Sequence, residues 1–122
     1  MPLNPFTRLD HVQLAMPRGH EEDARQFYRD LLGMDEVDKP EQLAARGGVW
    51  FRSGEVEIHL GVEDDFRPAR KAHPGLVCSH YRNLLIKLKA AGIPVRPDTS
   101  IPGVERCHVE DVFGNRIELI AG

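Results

Sequence analysis

The same order of predicted secondary-structure elements occurs twice along this chain, and the repeat restricts its fold more than any other feature. In each half, a strand of alternating polar and apolar residues precedes an amphipathic helix that ends at a glycine, Gly33 or Gly92. About three further strands follow each helix. Such self-similarity indicates an internal duplication. We therefore expect one domain, 1–122, made of two modules, 9–61 and 73–121, with a connector at 62–72.

The element boundaries follow from apolar periodicity and from the glycines and prolines that interrupt it. In the first module we predict strands at 9–16, 47–52 and 55–61 and a helix at 20–32. In the second we predict a strand at 73–79, a helix at 81–91, a short extended piece between Pro94 and Pro97, and strands at 105–110 and 116–120. The last two strands are joined through Asp111, Gly114 and Asn115, which suit a turn with positive φ.

Charge and hydropathy exclude several classes of protein. A formal net charge of -3 leaves no excess of basic residues to neutralise nucleic-acid phosphates. No apolar run reaches the roughly 20 residues that a membrane span requires. The N-terminus has no basic patch followed by an apolar stretch, so we expect a cytoplasmic protein. The two cysteines, Cys78 and Cys107, are too few for a disulfide framework and are expected to be small core residues.

Four potential metal ligands stand at matching strand positions in the two halves: His11 and His59 in the first, His73 and Glu118 in the second. Imidazole and carboxylate are ligands that borderline divalent metals prefer. We therefore predict that these four residues hold one divalent ion: Zn, Ni, Co, Mn or Fe(II). The alternative is that they line a wet groove and bind no metal.

Strand alternation places further polar side chains on the face that carries these residues. Glu57 is the candidate general base, with a solvated strand position as the alternative. Arg116 is expected either to clamp substrate oxygens or to pair with a neighbouring acid. The candidate substrate-binding residues are Gln13, Trp50, Arg52, Arg116 and His108.

Two of these assignments leave a choice open. Trp50 and Arg52 alternate with Val49 and Phe51, so one of the two pairs must face the site, and the sequence does not say which. His108 has no evident counterpart in the first half and is expected at most to line the cavity.

Several stretches of the chain resemble the vicinal oxygen chelate superfamily, which includes glyoxalase I, fosfomycin-modifying enzymes, extradiol dioxygenases and bleomycin-resistance proteins. The resemblance covers 9–121, and its two most specific stretches are 27–34 and 113–119. The stretches are Leu9-Asp10-His11-Val12, Phe27-Tyr28-Arg29-Asp30-Leu31-Leu32-Gly33-Met34, Glu57-Ile58-His59-Leu60, Ala72-His73-Pro74-Gly75-Leu76 and Phe113-Gly114-Asn115-Arg116-Ile117-Glu118-Leu119.

The resemblance implies an α+β fold: two tandem βαβββ modules with mixed, curved sheets around a central cavity and helices outside. It places the metal positions at His11, His59, His73 and Glu118. At the second of these positions, where this chain has His59, glyoxalase I usually has a glutamate that serves as ligand and base. The other three residues, His11, His73 and Glu118, match the His, His and Glu that dioxygenases and fosfomycin enzymes use. The resemblance also implies a homodimer whose subunits share each site.

The function expected from these residues is a metal-dependent lyase or isomerase. Its metal would chelate two neighbouring oxygens of a small substrate and stabilise an enolate or oxyanion. Glu118 and Glu57 are the candidate catalytic residues. One alternative is a protein that sequesters a small aromatic compound or drug against Trp50 and Phe66. Others are a ring-cleaving dioxygenase and a dimerising accessory domain without chemistry.

Overall fold

A computed structural model of the protein describes residues 3–122. The first half contains β1 (Val12–Met16), α1 (Glu21–Ala24), which continues as a π-helix (Arg25–Leu31), β2 (Asp35–Val37), α2 (Glu41–Ala44), β3 (Val49–Ser53) and β4 (Val56–Val62). The second half contains β5 (Gly75–Cys78), α3 (Tyr81–Ala90), β6 (Arg96–Pro97), β7 (Arg106–Glu110) and β8 (Arg116–Ala121). Among the described residues, no helix has the length and apolar character needed to cross a bilayer.

Each half of the chain forms its own four-stranded mixed sheet. The strand orders are β1-β4-β3-β2 and β5-β8-β7-β6, with the outer pair of each, β1–β4 and β5–β8, parallel. Both sheets are open, and the remaining pairs are antiparallel. The predicted α+β fold of two tandem βαβββ modules is confirmed.

The strand registers show how closely the two sheets correspond. His59 pairs with Gln13, which is the second residue after His11. Glu118 pairs with Gly75, which is the second residue after His73. His59 and Glu118 therefore occupy equivalent positions in the two sheets.

Some predicted boundaries are wrong. β1 begins at Val12 and β5 at Gly75, so His11 and His73 lie in the segments that lead into these strands rather than within them. β2 and α2 were not predicted. They contain three and four residues respectively, which is too short for a periodic pattern to be read.

One hydrophobic core joins the two sheets. Phe51, Ile58 and Leu60 from the first half and Ile117 and Leu119 from the second are at most 1% exposed and belong to one cluster. Since these residues alternate with polar ones along their strands, each sheet turns its other face away from the core. That polar face carries the candidate site.

A buried polar network ties the β7–β8 turn to the first half. The Asn115 side chain donates to the Ala15 carbonyl at 2.8 Å and to Asp111 Oδ2 at 3.0 Å. Its Oδ1 accepts from the Ala69 N–H at 3.0 Å. The Tyr28 hydroxyl donates to Asp111 Oδ2 at 2.6 Å. Of the predicted turn residues only Gly114 has positive φ, at 92°, so that part of the prediction is wrong for Asp111 and Asn115.

We expect Gly48→Ala to destabilise the fold by about 3 kcal/mol, because two penalties coincide there. Gly48 has a φ of 89°, and a Cβ at this position would collide with the Leu60 carbonyl oxygen. Gly54 is the matched control: its φ is 58°, but a Cβ there meets nothing within 4 Å. Gly54→Ala should cost about 1 kcal/mol. Urea unfolding measures both, and equal losses would contradict the close approach at Gly48.

Candidate metal centre

Three potential ligands converge on the polar face of the second sheet. His73, His108 and Glu118 each offer a ligand atom, and these atoms lie within 4.8 Å of one another. His73 Nε2 is 3.0 Å from Glu118 Oε1, and His108 Nε2 is 3.7 Å from the same oxygen. The structure thus brings together two of the predicted ligands, His73 and Glu118, and adds His108.

The orientation of His73 is set by the chain immediately before it. Its Nδ1 lies 2.8 Å from the Lys71 carbonyl oxygen. A carbonyl can only accept, so Nδ1 carries a proton and donates it. The other ring nitrogen, Nε2, faces Glu118 Oε1 and is the atom that could bind a metal ion. A backbone carbonyl on the far nitrogen is a common support for a metal-binding histidine.

Glu118 is held as a carboxylate. Arg106 Nη1 donates to Glu118 Oε2 at 2.8 Å. This bond, followed by that from His73, lowers the pKa of Glu118. Arg106 is in turn fixed by Asp98, at 3.0 Å, and by Ser100 Oγ, at 2.8 Å. The carboxylate can therefore offer Oε1 to a cation while Oε2 remains bound to the guanidinium.

His108 does have a counterpart in the first half, contrary to the prediction. It pairs with Glu118 across β7 and β8, just as Trp50 pairs with His59 across β3 and β4. Both residues can be seen in the sequence, but the correspondence between His108 and Trp50 becomes visible only when the strand register is known. Burial and the nearby Arg116 charge lower the pKa of His108, which favours the neutral imidazole that binds metals.

Three aromatic rings are stacked on the polar face of the first sheet. Trp50 and His59 have ring centroids 3.8 Å apart and planes 3° from parallel. His59 and His11 follow at 4.1 Å and 14°. Trp50 and Arg52 therefore lie on the site face, whereas Val49 and Phe51 are buried in the core.

Glu57 links His59 to Arg52. His59 Nε2 donates to Glu57 Oε2 at 2.7 Å, and Arg52 Nε donates to Glu57 Oε1 at 3.0 Å. The bond from His59 is the larger cause of a lowered pKa for Glu57, followed by the bond from Arg52. This direction is opposite to the upward shift that burial alone would give a carboxyl group.

The four predicted ligands form two pairs in a single chain. His11 stacks on His59, whereas His73 contacts Glu118. His11 also lines a cavity of about 230 Å³ together with Pro74 and Gly75, which directly follow His73. Its Nδ1 donates to Asp10 at 2.9 Å, and its side chain is 41% exposed. A carboxylate on Nδ1 is the same kind of support that His73 receives from a carbonyl.

Arg116 has unused hydrogen-bonding capacity. Its Nη1 donates to the Arg70 carbonyl at 3.5 Å, and its buried Nε has no partner among the described residues. No ion pair between Arg116 and a neighbouring acid is present within residues 3–122.

The fold and this polar face define a class: an α+β protein of two repeated halves that can hold a cation between histidine and carboxylate side chains. The chain belongs to the Glyoxalase/Bleomycin resistance protein/Dioxygenase superfamily, whose family model matches residues 8–119. Members of this superfamily typically use a divalent metal, bind small molecules and often form dimers.

Solved structures agree with this assignment. A protein from Bacillus anthracis assigned to the glyoxalase family is 45% identical with a TM-score of 0.95, covering 99% of each chain. The fosfomycin resistance protein FosX from Listeria monocytogenes is 15% identical, with a TM-score of 0.75 and coverage of 96% of this chain and 94% of its own. Lactoylglutathione lyase from Agrobacterium tumefaciens is 18% identical, with a TM-score of 0.68 and coverage of 98% and 96%. No curated protein of similar sequence was found.

Proposed function

We propose that this protein is a metal-dependent enzyme that chelates two neighbouring oxygens of a small substrate, as a lyase or isomerase. The observation that carries the proposal is the approach of His73 Nε2 to Glu118 Oε1 at 3.0 Å, with the far nitrogen of His73 committed to the Lys71 carbonyl. Two imidazoles and one carboxylate within 4.8 Å are a donor set that suits Zn, Ni, Co, Mn or Fe(II).

We infer that His11 and His59 complete the site across a homodimer. In this arrangement one subunit supplies the first-half pair and its partner supplies His73 and Glu118. The exposure of His11 and the carboxylate of Asp10 on its Nδ1 support this role. His108 is an additional donor on the second sheet.

The bound ion would act as a Lewis acid that stabilises negative charge on the substrate oxygens. Around it, Arg116 binds a substrate oxygen through the terminal nitrogens of its guanidinium. Arg106 keeps Glu118 ionised. Glu57 is the residue placed to accept a proton, and the hydrogen bonds from His59 and Arg52 orient its carboxylate.

A second candidate function, sequestration of an aromatic compound, is favoured by the three stacked rings that end at Trp50. This function needs no metal. Ring-cleaving dioxygenation is a variant of the metal-dependent proposal. It is considered because His11, His73 and Glu118 match the His, His and Glu ligand pattern of dioxygenases.

Removal of the metal distinguishes these functions. Protein stripped with a chelator should lose turnover of compounds with neighbouring oxygens, such as α-hydroxyketones or catechols, and regain it with one equivalent of a divalent ion. Oxygen uptake with a catechol and Fe(II) would identify the dioxygenase variant. Aromatic binding that survives chelation, with no turnover under any metal, would overturn the enzyme proposal and support sequestration.

A further inference from the structure

A second cavity lies beside the ring stack of the first sheet, and the metal centre does not account for it. Its volume is about 240 Å³, and an engineered cavity of about 150 Å³ already binds benzene. It lies between the strands β1, β3 and β4 and the loop that runs from α2 into β3. The lining residues are Gln13, Lys39, Leu43, Arg46, Gly47, Trp50, Leu60, Gly61 and Val62.

The walls of this cavity combine one flat aromatic surface with hydrogen-bond donors. Trp50 supplies the indole, and Leu43 supplies an aliphatic side chain. The Gln13 amide lies against the backbone of Gly61, within the same cavity. The lining thus combines apolar side chains with polar and basic groups that could fix the orientation of a ligand.

The charge at the cavity is positive. Arg46 is exposed and forms no ion pair with any residue of the described chain, 3–122. Lys39 donates to the Gly47 carbonyl and also forms no ion pair within that range. The nearby carboxylate of Glu21 already accepts the Gly48 N–H at 2.8 Å. Two cations therefore face a space that contains no acid among its lining residues.

Trp50 connects this cavity to the predicted metal ligands. It lines the cavity and, on its stacked side, covers His59, which in turn covers His11. A ligand on the other face of the indole would thus be separated from His11 by the Trp50 and His59 rings. The strand register places Gln13 and Trp50 on either side of His59, so the cavity adjoins the part of the polar face that carries the predicted ligands.

We propose that this cavity binds the flat, carboxylate-bearing end of the substrate, with Trp50 as the stacking surface and Arg46 as the anion-binding residue. The identification of this ligand as the substrate rests on the proposed function. The recognition of an aromatic carboxylate by the cavity does not. The chemistry is a planar apolar group on Trp50, with its carboxylate accepting hydrogen bonds from the Arg46 guanidinium and the Gln13 amide.

Trp50 is the only tryptophan in the chain, so its fluorescence reports on this cavity directly. Benzoate titrated into chelator-stripped protein should change the emission saturably, whereas benzamide, which has the same shape without the charge, should bind at least tenfold more weakly. Arg46→Gln should raise the benzoate Kd at least tenfold. Arg18→Gln is the matched control, because Arg18 is an exposed arginine that pairs with Asp64 and does not line the cavity.

Each outcome decides the proposal. Equal binding of benzoate and benzamide, an unchanged Kd in Arg46→Gln, or no saturable change at all would overturn it. Urea unfolding of Arg46→Gln shows whether the variant remains folded. Since the titration contains no metal, a negative result would overturn the cavity proposal without bearing on the proposed metal centre. Conversely, a protein that binds benzoate but never binds a divalent ion would retain this cavity and lose the proposed enzyme function.

Discussion

Replacing His73 with alanine is expected to weaken divalent-metal binding by more than about 100-fold, because a supporting residue alone is worth 10- to 100-fold and His73 is proposed as a direct ligand. The His73 imidazole is 3.0 Å from Glu118 Oε1, and its far nitrogen is held by the Lys71 carbonyl. Alanine leaves Glu118 without this partner. Calorimetric titration of chelator-stripped protein with Zn²⁺ measures the effect.

His20→Ala is the control for this prediction. His20 is also an exposed imidazole whose Nδ1 donates to a carboxylate, Asp23, at 2.8 Å, but it lies outside the cluster of the second sheet. Its removal should leave the affinity unchanged. Comparable losses in the two variants would indicate non-specific binding to surface histidines, and unchanged affinity in His73→Ala would exclude the site.

Asn115→Ala is expected to lower the free energy of unfolding by about 3 kcal/mol. The Asn115 side chain is fully buried and makes three hydrogen bonds, two of them to backbone groups of Ala15 and Ala69. Alanine removes two bonds to partly buried backbone groups and one to the buried Asp111, and an unsatisfied buried donor or acceptor costs about 1–3 kcal/mol. Urea unfolding followed by far-UV circular dichroism measures the change in the free energy of unfolding.

Two further variants make this test specific. Asn115→Asp keeps the shape of the side chain but replaces the amide donor with an oxygen that faces both the Ala15 carbonyl and Asp111, so it should also destabilise strongly. Asn83→Ala changes the same residue type on the exposed surface of α3 and should alter stability by less than about 0.5 kcal/mol. If Asn115→Ala behaves like Asn83→Ala, the network does not hold the two halves together.

The sequence predicts the parts of the fold that depend on periodicity. Alternation correctly separates Ile58 and Ile117, which are buried, from His59 and Glu118, which are on the polar face. The duplication predicts that His59 and Glu118 are equivalent, and the strand registers confirm it. Because parallel pairing of the outer strands follows from the repeated topology, the sequence was also sufficient to predict that His73 approaches Glu118.

The parts that were missed depend on contacts between distant segments. Asn115 reads as a turn residue from its neighbours, and only the packing of the two halves reveals it as a buried bridge to Ala15. His108 was identified only as cavity lining, because its correspondence to Trp50 depends on the register of antiparallel strands. The stacking of His11 on His59 depends on side-chain rotamers, which no strand pattern specifies.

The central claim is that one divalent ion binds between His73 and Glu118. Anomalous diffraction at the zinc edge, from crystals of the protein grown with one equivalent of Zn²⁺, tests it most directly. We expect a single strong peak about 2.0–2.2 Å from His73 Nε2 and a Glu118 oxygen, with a histidine of the same or a second subunit as a further ligand. Bound zinc at any other residues, with no density between His73 and Glu118, would contradict it.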